Sequence, residues 1–167
     1  LFKKAVTLGI KRYEHGSDGL FLMEKIQDRI LEKLVRGKVA DRFGGRLKAF
    51  VSGGAPLNYD IGVFFLALGV RLLQGYGQTE TAPVVSANLP HKIKIDTVGP
   101  AFPGVDVKIA GDGEILIRGE LTMQGYWNAP ELTAEALQNG WVHTGDIGEL
   151  DEDGYIRITD RKKDIIV

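Results

Sequence analysis

Two short apolar runs, residues 47–52 and 70–73, each close on a glycine-rich turn, and one helix-length segment separates them. The first turn reads Ser52-Gly53-Gly54-Ala55-Pro56 and the second Gly75-Tyr76-Gly77. Between them residues 57–68 carry an apolar helical pattern that Gly69 stops. Strand, glycine turn, helix, strand, glycine turn is the order of a parallel α/β sheet, because parallel neighbours require a crossover. Ligands of such sheets bind beyond the carboxyl ends of the strands, where both turns fall.

The flanking segments obey other periods. Residues 1–36 read as helical: Phe2, Ala5, Val6, Gly9 and Ile10 recur at helical spacing, then Gly16-Ser17-Asp18-Gly19 breaks the pattern. Met23, Ile26, Ile30 and Leu34 resume it, with Glu24, Lys25, Asp28 and Arg29 on the opposite side, so the spacing predicts a buried apolar stripe. Ser17 or Asp18 stands where an N-cap would, and Gly37 where a C-cap would. From about residue 98 the period becomes two, in Val105-Asp106-Val107-Lys108-Ile109, Ile115-Leu116-Ile117-Arg118 and Tyr155-Ile156-Arg157-Ile158. Gly111-Asp112-Gly113 and Asp151-Glu152-Asp153-Gly154 supply hairpin turns, and a short helix over residues 130–137 interrupts the set. The expected fold class is α/β followed by mainly β. Residues 1–90 would form part of a parallel α/β sheet subdomain, and residues 91–167 a small antiparallel, barrel-like subdomain.

Composition removes several functions. With 167 residues, 44% hydrophobic and 26% charged, the chain has the make-up of a globular domain rather than a disordered or fibrous one. Lys and Arg total 21 against 22 Asp and Glu, so no overall field drives it onto nucleic acid. No cysteine is present, which excludes disulfides, thiolate zinc sites and cysteine nucleophiles. The longest apolar run, residues 61–70, is about half the length that spans a bilayer. There is no G-x-x-x-x-G-K-[ST] loop, no G-x-G-x-x-G after a strand and no G-x-S-x-G elbow. His15, His91 and His143 lie far apart, without ligand spacing. The chain opens on Leu1 rather than Met and ends in the apolar Ile165-Ile166-Val167, so a piece of a longer protein is the expectation.

Four segments could carry chemistry, and each has a bland reading beside it. Gly53, Gly54 and Ala55 with Pro56 could let the backbone approach a flat ligand, or could simply make a tight strand-to-helix turn. In Gln74-Gly75-Tyr76-Gly77-Gln78-Thr79-Glu80, Tyr76 could stack on a base, Thr79 donate to a phosphate and Glu80 bind Mg²⁺ jointly with phosphate. Equally, Tyr76 could be a buried tyrosine and Thr79-Glu80 a solvated pair. Asp146, in Trp141-Val142-His143-Thr144-Gly145-Asp146, could accept from both hydroxyls of a ribose or sit in an ordinary turn. Asp160-Arg161-Lys162-Lys163-Asp164 is either a charged turn or a joint with one arginine facing a ligand.

Taken together and in this order, residues 52–56, 74–80, 141–146 and 160–164 resemble the core motifs of the adenylate-forming enzymes. Gly113-Glu114-Ile115 through Arg118-Gly119, and Gly125-Tyr126-Trp127, resemble another motif of that superfamily. Within it, Val51-Ser52-Gly53-Gly54-Ala55-Pro56-Leu57 and Leu73-Gln74-Gly75-Tyr76-Gly77-Gln78-Thr79-Glu80-Thr81 are most similar to long-chain fatty acid–CoA ligases. The resemblance implies ATP-dependent activation of a fatty acid as acyl-AMP, then transfer of the acyl group to coenzyme A. It implies that Gly54, Ala55 and Pro56 line the adenine pocket, with Gly75, Tyr76 and Gly77 against the nucleotide. Thr79 and Glu80 would be catalytic, Thr79 at the α-phosphate and Glu80 on Mg²⁺. Asp146 and Arg161 would hold the ribose, Lys163 would be a hinge, and Gly75 and Val84 are candidates for the acyl wall. The implied ligands are ATP or AMP, Mg²⁺, coenzyme A and a fatty acid, with no nucleic acid. The implied setting is cytoplasmic, with peripheral membrane attachment fitting a lipid substrate. The superfamily's Ser/Thr/Gly-rich phosphate loop has no match here, and its catalytic C-terminal lysine would lie beyond Val167. A peptide-synthetase adenylation domain, an acyl-AMP ligase and a non-catalytic AMP-binding paralogue stay open beside the ligase.

Overall fold

The computed structural model describes residues 1–162, so the hinge expectation at Lys163 lies outside the described residues. The chain divides into two compact units, Leu1–Ser52 with Pro56–Leu73, and Gly53–Ala55 with the chain from Gln74 onward. The sequence pattern changes period near residue 98, whereas the contacts divide at Gln74; the first reflects side-chain patterning and the second reflects packing.

In the first unit α1 (Phe2–His15) and α2 (Leu22–Leu31) are followed by a π-helical turn (Glu32–Arg36), α3 (Gly37–Arg42), β1 (Phe50–Ser52) and α4 (Tyr59–Ala67). The core gathers Ala5, Leu8, Leu20, Leu31, Val35 and Leu68. Gly9 is small for a reason: a Cβ there would lie 2.5 Å from Ala67 Cα, so α1 and α4 approach closely. Asn58 caps α4 by accepting from Ile61 N–H at 3.1 Å.

The helical expectations upstream hold as elements but fail in detail. Ser17 and Asp18 form a 3₁₀ turn and do not cap α2; Phe21 is the N-cap, and its N–H donates to Glu24 Oε2 at 2.9 Å. Gly37 does not end the helix either, but lies in the αR region and opens α3. The face of α2 is the largest correction. Met23, Ile26, Ile30 and Leu34 are exposed, while Asp28, Leu31, Val35 and Arg36 are buried. Arg36 makes this arrangement tenable. It pairs with Asp28 at 2.6 Å and donates to Ala67 O at 2.7 Å and Ala5 O at 3.2 Å, so both charges are neutralised and two carbonyls are satisfied. The extra residue of the π turn rotates Arg36 toward the phase that an α-helix would give residue 35.

β2 (Leu72–Tyr76) begins in the first unit, where Phe50 N–H donates to Arg71 O at 2.8 Å, and runs on into the second. The second unit continues with a 3₁₀ turn (Thr79–Thr81), β3 (Ser86–Ala87), β4 (Val105–Ile109), β5 (Glu114–Gly119), α5 (Pro130–Ala136), β6 (Leu137–Gln138), β7 (Trp141–Leu150) and β8 (Ile156–Arg161). Gly75 and Tyr76, expected in a turn, are strand residues that pair antiparallel with Ala87 and Ser86. The tight position is Gly77, where a Cβ would lie 2.0 Å from Pro83 O.

The alternating segments form one antiparallel sheet. β4 pairs with β5, and β5 with one edge of β7, whose other edge takes β6 and then β8. Thus Val142 faces Ile117 and Leu137, and Ile147 faces Glu114 and Asp160. Among the described residues this sheet is open, not the barrel expected, because β8 pairs with β7 and leaves β4 at the far edge. Tyr76, Val85, Ile115, Ile117 and Ile156 make its core. The mixed α/β class stands.

The turn between β7 and β8 is tied by charge. Lys92 pairs with Asp153 at 2.6 Å, and Lys94 bonds both Asp153, at 2.7 Å, and Asp151. These lysines hold the Asp153 carboxyl down at about 2, against an ordinary 3.8. A depressed carboxyl stabilises the folded state above its unfolded value and stops doing so as pH falls through its folded one. The stability gap between wild type and Asp153→Asn is therefore expected to be constant above pH 3.8 and to close toward pH 2. Denaturation midpoints measured between pH 5 and 2 check this, and a gap independent of pH contradicts it.

Candidate functional site

The candidate residues meet in the second unit, at the end of β2 and along β7 and β8. Tyr76 leaves β2 with its ring in the core, 8% exposed, and its hydroxyl donating to Asp146 Oδ2 at 2.6 Å. The bland reading of this tyrosine is therefore the one realised here: the ring is packed, and its polar tip is given to Asp146. Burial first, and then the bond to Asp146, push the Tyr76 hydroxyl far above the usual tyrosine range, so it remains a proton donor.

Asp146 is 5% exposed and lies in β7, not in a loose turn. The same Oδ2 accepts from Gln78 Nε2 at 2.8 Å, while Arg161 Nε stands 3.3 Å from Oδ1. Asp146 and Arg161 are cross-strand partners on β7 and β8, which is why residues 15 apart in sequence converge. Gln78 also donates to Thr144 O at 2.9 Å, and Thr144 Oγ1 to Ile115 O at 2.7 Å, so the carboxylate is held from several sides. A carboxylate has about four acceptor positions; here Oδ2 takes two donors while Oδ1 faces Arg161.

Arg161 also borders an open cleft of about 770 Å³ lined by Gly77, Gln78, Thr79, Glu80, Thr144 and Gly145, whereas Asp146 and Tyr76 do not line it. Tyr126, His143, Glu114 and Lys162 complete its polar wall. Thr79 and Glu80 arrive on the 3₁₀ turn, and Tyr126 donates to Glu80 Oε1 at 2.6 Å. That bond raises the Tyr126 hydroxyl above its ordinary value. One carboxylate beside one hydroxyl fits Mg²⁺ held jointly with phosphate, since that ion keeps waters and needs only one or two carboxylates. Among the described residues no group of three or more His, Asp or Glu forms a cage of its own.

Not every candidate comes to the cleft. Gly54 and Ala55 are exposed and do not line it, and Gly75 is held in β2 against β3. Pro56 is an exposed residue of the first unit. Gln78, which links Asp146 to Thr144, was not singled out in sequence, because a glutamine after a glycine carries no signal of its own.

Glu114 and Tyr126 were visible as motif members but without roles. Glu114 is 4% exposed and opens β5. Its Oε1 accepts from Gly145 N–H at 2.8 Å, and its Oε2 lies 3.0 Å from both Lys162 Nζ and His143 Nδ1. Burial pushes its carboxyl up, yet the donors from Gly145, His143 and Lys162 together hold it below the usual glutamate value.

The chain resembles known proteins over most of its length. Residues 14–127 match the family described as AMP-binding enzyme. The chain is 43% identical over 154 residues to long-chain-fatty-acid–CoA ligase FadD15 of Mycobacterium bovis, covering 92% of this chain and 25% of that protein. A solved fatty acyl CoA synthetase of Mycobacterium tuberculosis aligns with a TM-score of 0.64 at 36% identity, over 71% of this chain and 26% of that one. Amide bond synthetase McbA of Marinactinospora thermotolerans aligns with a TM-score of 0.65 at 37% identity, over 72% and 27%. The chain thus spans about a quarter of the length of the relatives it matches.

Proposed function

This chain belongs to the AMP-binding enzyme family, and from that premise we propose that it supplies the adenylate-binding part of an ATP-dependent long-chain fatty acid–CoA ligase. The observation that carries the reading is the Asp146–Arg161 pair, braced by Tyr76 and Gln78, beside a cleft that Thr79, Glu80 and Arg161 line. The substrate class is supported by 43% identity to a long-chain-fatty-acid–CoA ligase.

The proposed chemistry has two steps. A fatty acid carboxylate oxygen attacks the α-phosphorus of ATP and pyrophosphate leaves; the coenzyme A thiol then attacks the acyl carbon and AMP leaves. The first step brings an anion onto an anion, so fixed donors and metal charge must offset the repulsion. Mg²⁺ bound by Glu80 and the phosphates would supply that charge. Thr79 donates to an α-phosphate oxygen. Asp146 accepts from the ribose hydroxyls on its Oδ1 side, and Arg161 swings from Oδ1 to the ribose, which its exposed side chain permits. Gly54 and Ala55, with Gly75 and Gly77, would flank the base, and Gly75 and Val84 would border the acyl chain. Residues 1–90 then belong to the α/β subdomain and residues 91–167 to the β-rich one. A cytoplasmic enzyme touching membranes peripherally fits a substrate that partitions into lipid.

The test is calorimetric titration of this chain with a non-hydrolysable acyl-adenylate and with its 2′,3′-dideoxy counterpart. Loss of two hydroxyl bonds to a carboxylate is expected to weaken binding at least about a hundredfold. Equal affinity for the two compounds overturns the ribose assignment. The chain alone, lacking a phosphate-loop match, is expected to show no ATP–pyrophosphate exchange, and measurable exchange contradicts that.

A further inference from the structure

Glu114 belongs to a motif for which the reading above has no use, and it is among the most buried charged residues of the second unit. A buried carboxylate is costly unless it is paired and hydrogen-bonded. The hairpin does not need it: Gly113 makes the turn, donating to Ala110 O at 2.9 Å and accepting from Gly148 N–H at 3.0 Å, while Ile115 and Ile117 fill the core. The acid instead closes a ring across three strands. Gly145 N–H donates to Glu114 Oε1 at 2.8 Å, Lys162 N–H donates to Gly145 O at 2.8 Å, and Lys162 Nζ returns to Glu114 Oε2 at 3.0 Å. The residues next to Gly145 and Lys162 are Asp146 and Arg161, which face each other across the sheet.

We propose that Glu114 is the positioning residue of the nucleotide site, anchoring Gly145 and Lys162 so that Asp146 and Arg161 meet in register. Only 4% exposed, it acts through its neighbours and sets where the two ribose-holding side chains start. Because Gly145 has φ +70, its backbone turns locally, and a fixed acceptor for its N–H determines which way Asp146 points. Lys162 also reaches Asp112 Oδ2 at 2.7 Å, so the end of β8 is tied to both ends of the Asp112–Glu114 turn. This inference rests on the nucleotide reading given above.

Glutamine and alanine separate the two bonds. Glu114→Gln keeps an oxygen for Gly145 N–H but offers Lys162 no charge; Glu114→Ala removes both. Amide hydrogen exchange of the whole chain, read by ¹⁵N NMR, is expected to quicken about tenfold at Gly145 and Lys162 in Glu114→Ala, and only at Lys162 in Glu114→Gln. AMP affinity by calorimetry should fall about tenfold in Glu114→Ala and by an intermediate factor in Glu114→Gln, as loss of one or both charge-assisted bonds implies. Exchange at Ile117 should stay at its wild-type value in Glu114→Gln, which marks the effect as local. Unchanged exchange at Gly145 and Lys162, or AMP affinity unchanged in both variants, overturns the proposal. A wild-type chain that binds no AMP while exchange at Gly145 still follows Glu114 overturns the nucleotide reading and upholds the anchoring.

Discussion

Asp28→Ala is expected to destabilise the first unit by about 3 kcal/mol, because the buried Arg36 guanidinium loses its buried carboxylate and keeps only the exposed Glu32, 3.0 Å away, as an ionic partner. Arg36 is 2% exposed and cannot turn out to water without vacating the space between α1, α2 and α4. Its guanidinium would keep the bonds to Ala67 O and Ala5 O but lose the carboxylate at 2.6 Å. Arg12, which pairs with the other Asp28 oxygen at 2.8 Å, is more exposed and would lose less. The double variant Asp28→Ala with Arg36→Met removes both charges, so it should recover part of the loss, although the two carbonyls then lack a donor. Denaturant midpoints on the single and double variants measure this. A cost below about 1 kcal/mol for Asp28→Ala would place the pair with ordinary surface salt bridges and undo the account of why α2 buries Asp28.

Asp146→Ala acts on binding and on folding at once. Two ribose hydroxyl bonds to a carboxylate contribute about 1.5–3 kcal/mol each, so nucleotide affinity is expected to fall by at least about a hundredfold. The substitution also strips the acceptor from the Tyr76 hydroxyl, at 2.6 Å, and from Gln78 Nε2, at 2.8 Å. The Tyr76 ring is locked in the core, so its hydroxyl is left buried, at a further cost of about 1–3 kcal/mol in stability. Tyr76→Phe separates the contributions: it should lower stability while leaving affinity within about threefold, because Gln78 still holds the carboxylate. Calorimetry and thermal unfolding on both variants check the pair. If Tyr76→Phe loses as much affinity as Asp146→Ala, the tyrosine itself contacts the nucleotide, and its part in the site is more than bracing.

Much of this site is written in the order of the residues. Period-two alternation located β4, a strand with one face exposed, whereas β5, buried on both faces, was marked by its apolar run Ile115-Leu116-Ile117. The helix over residues 130–137 ends one residue sooner, at Ala136. The segments around Thr79, Glu80, Asp146 and Arg161 stood out in sequence because each sets a polar or charged side chain beside glycine or a charged run.

Other features depend on partners far away in the chain. The apolar spacing of Met23, Ile26, Ile30 and Leu34 pointed to the wrong face of α2, because an amphipathic pattern cannot register that Asp28 and Arg36 neutralise each other and so can be buried. Whether the Tyr76 ring packs and what holds the Asp146 and Glu114 carboxylates depend on residues 31 to 70 positions distant. Local pattern by itself thus determined the class of elements, the order of the motifs and the family they belong to. The buried face of each helix, the openness of the sheet and the bracing of the carboxylate were decided only by tertiary structure, since burying a charge or a polar tip depends on a partner that local sequence does not contain.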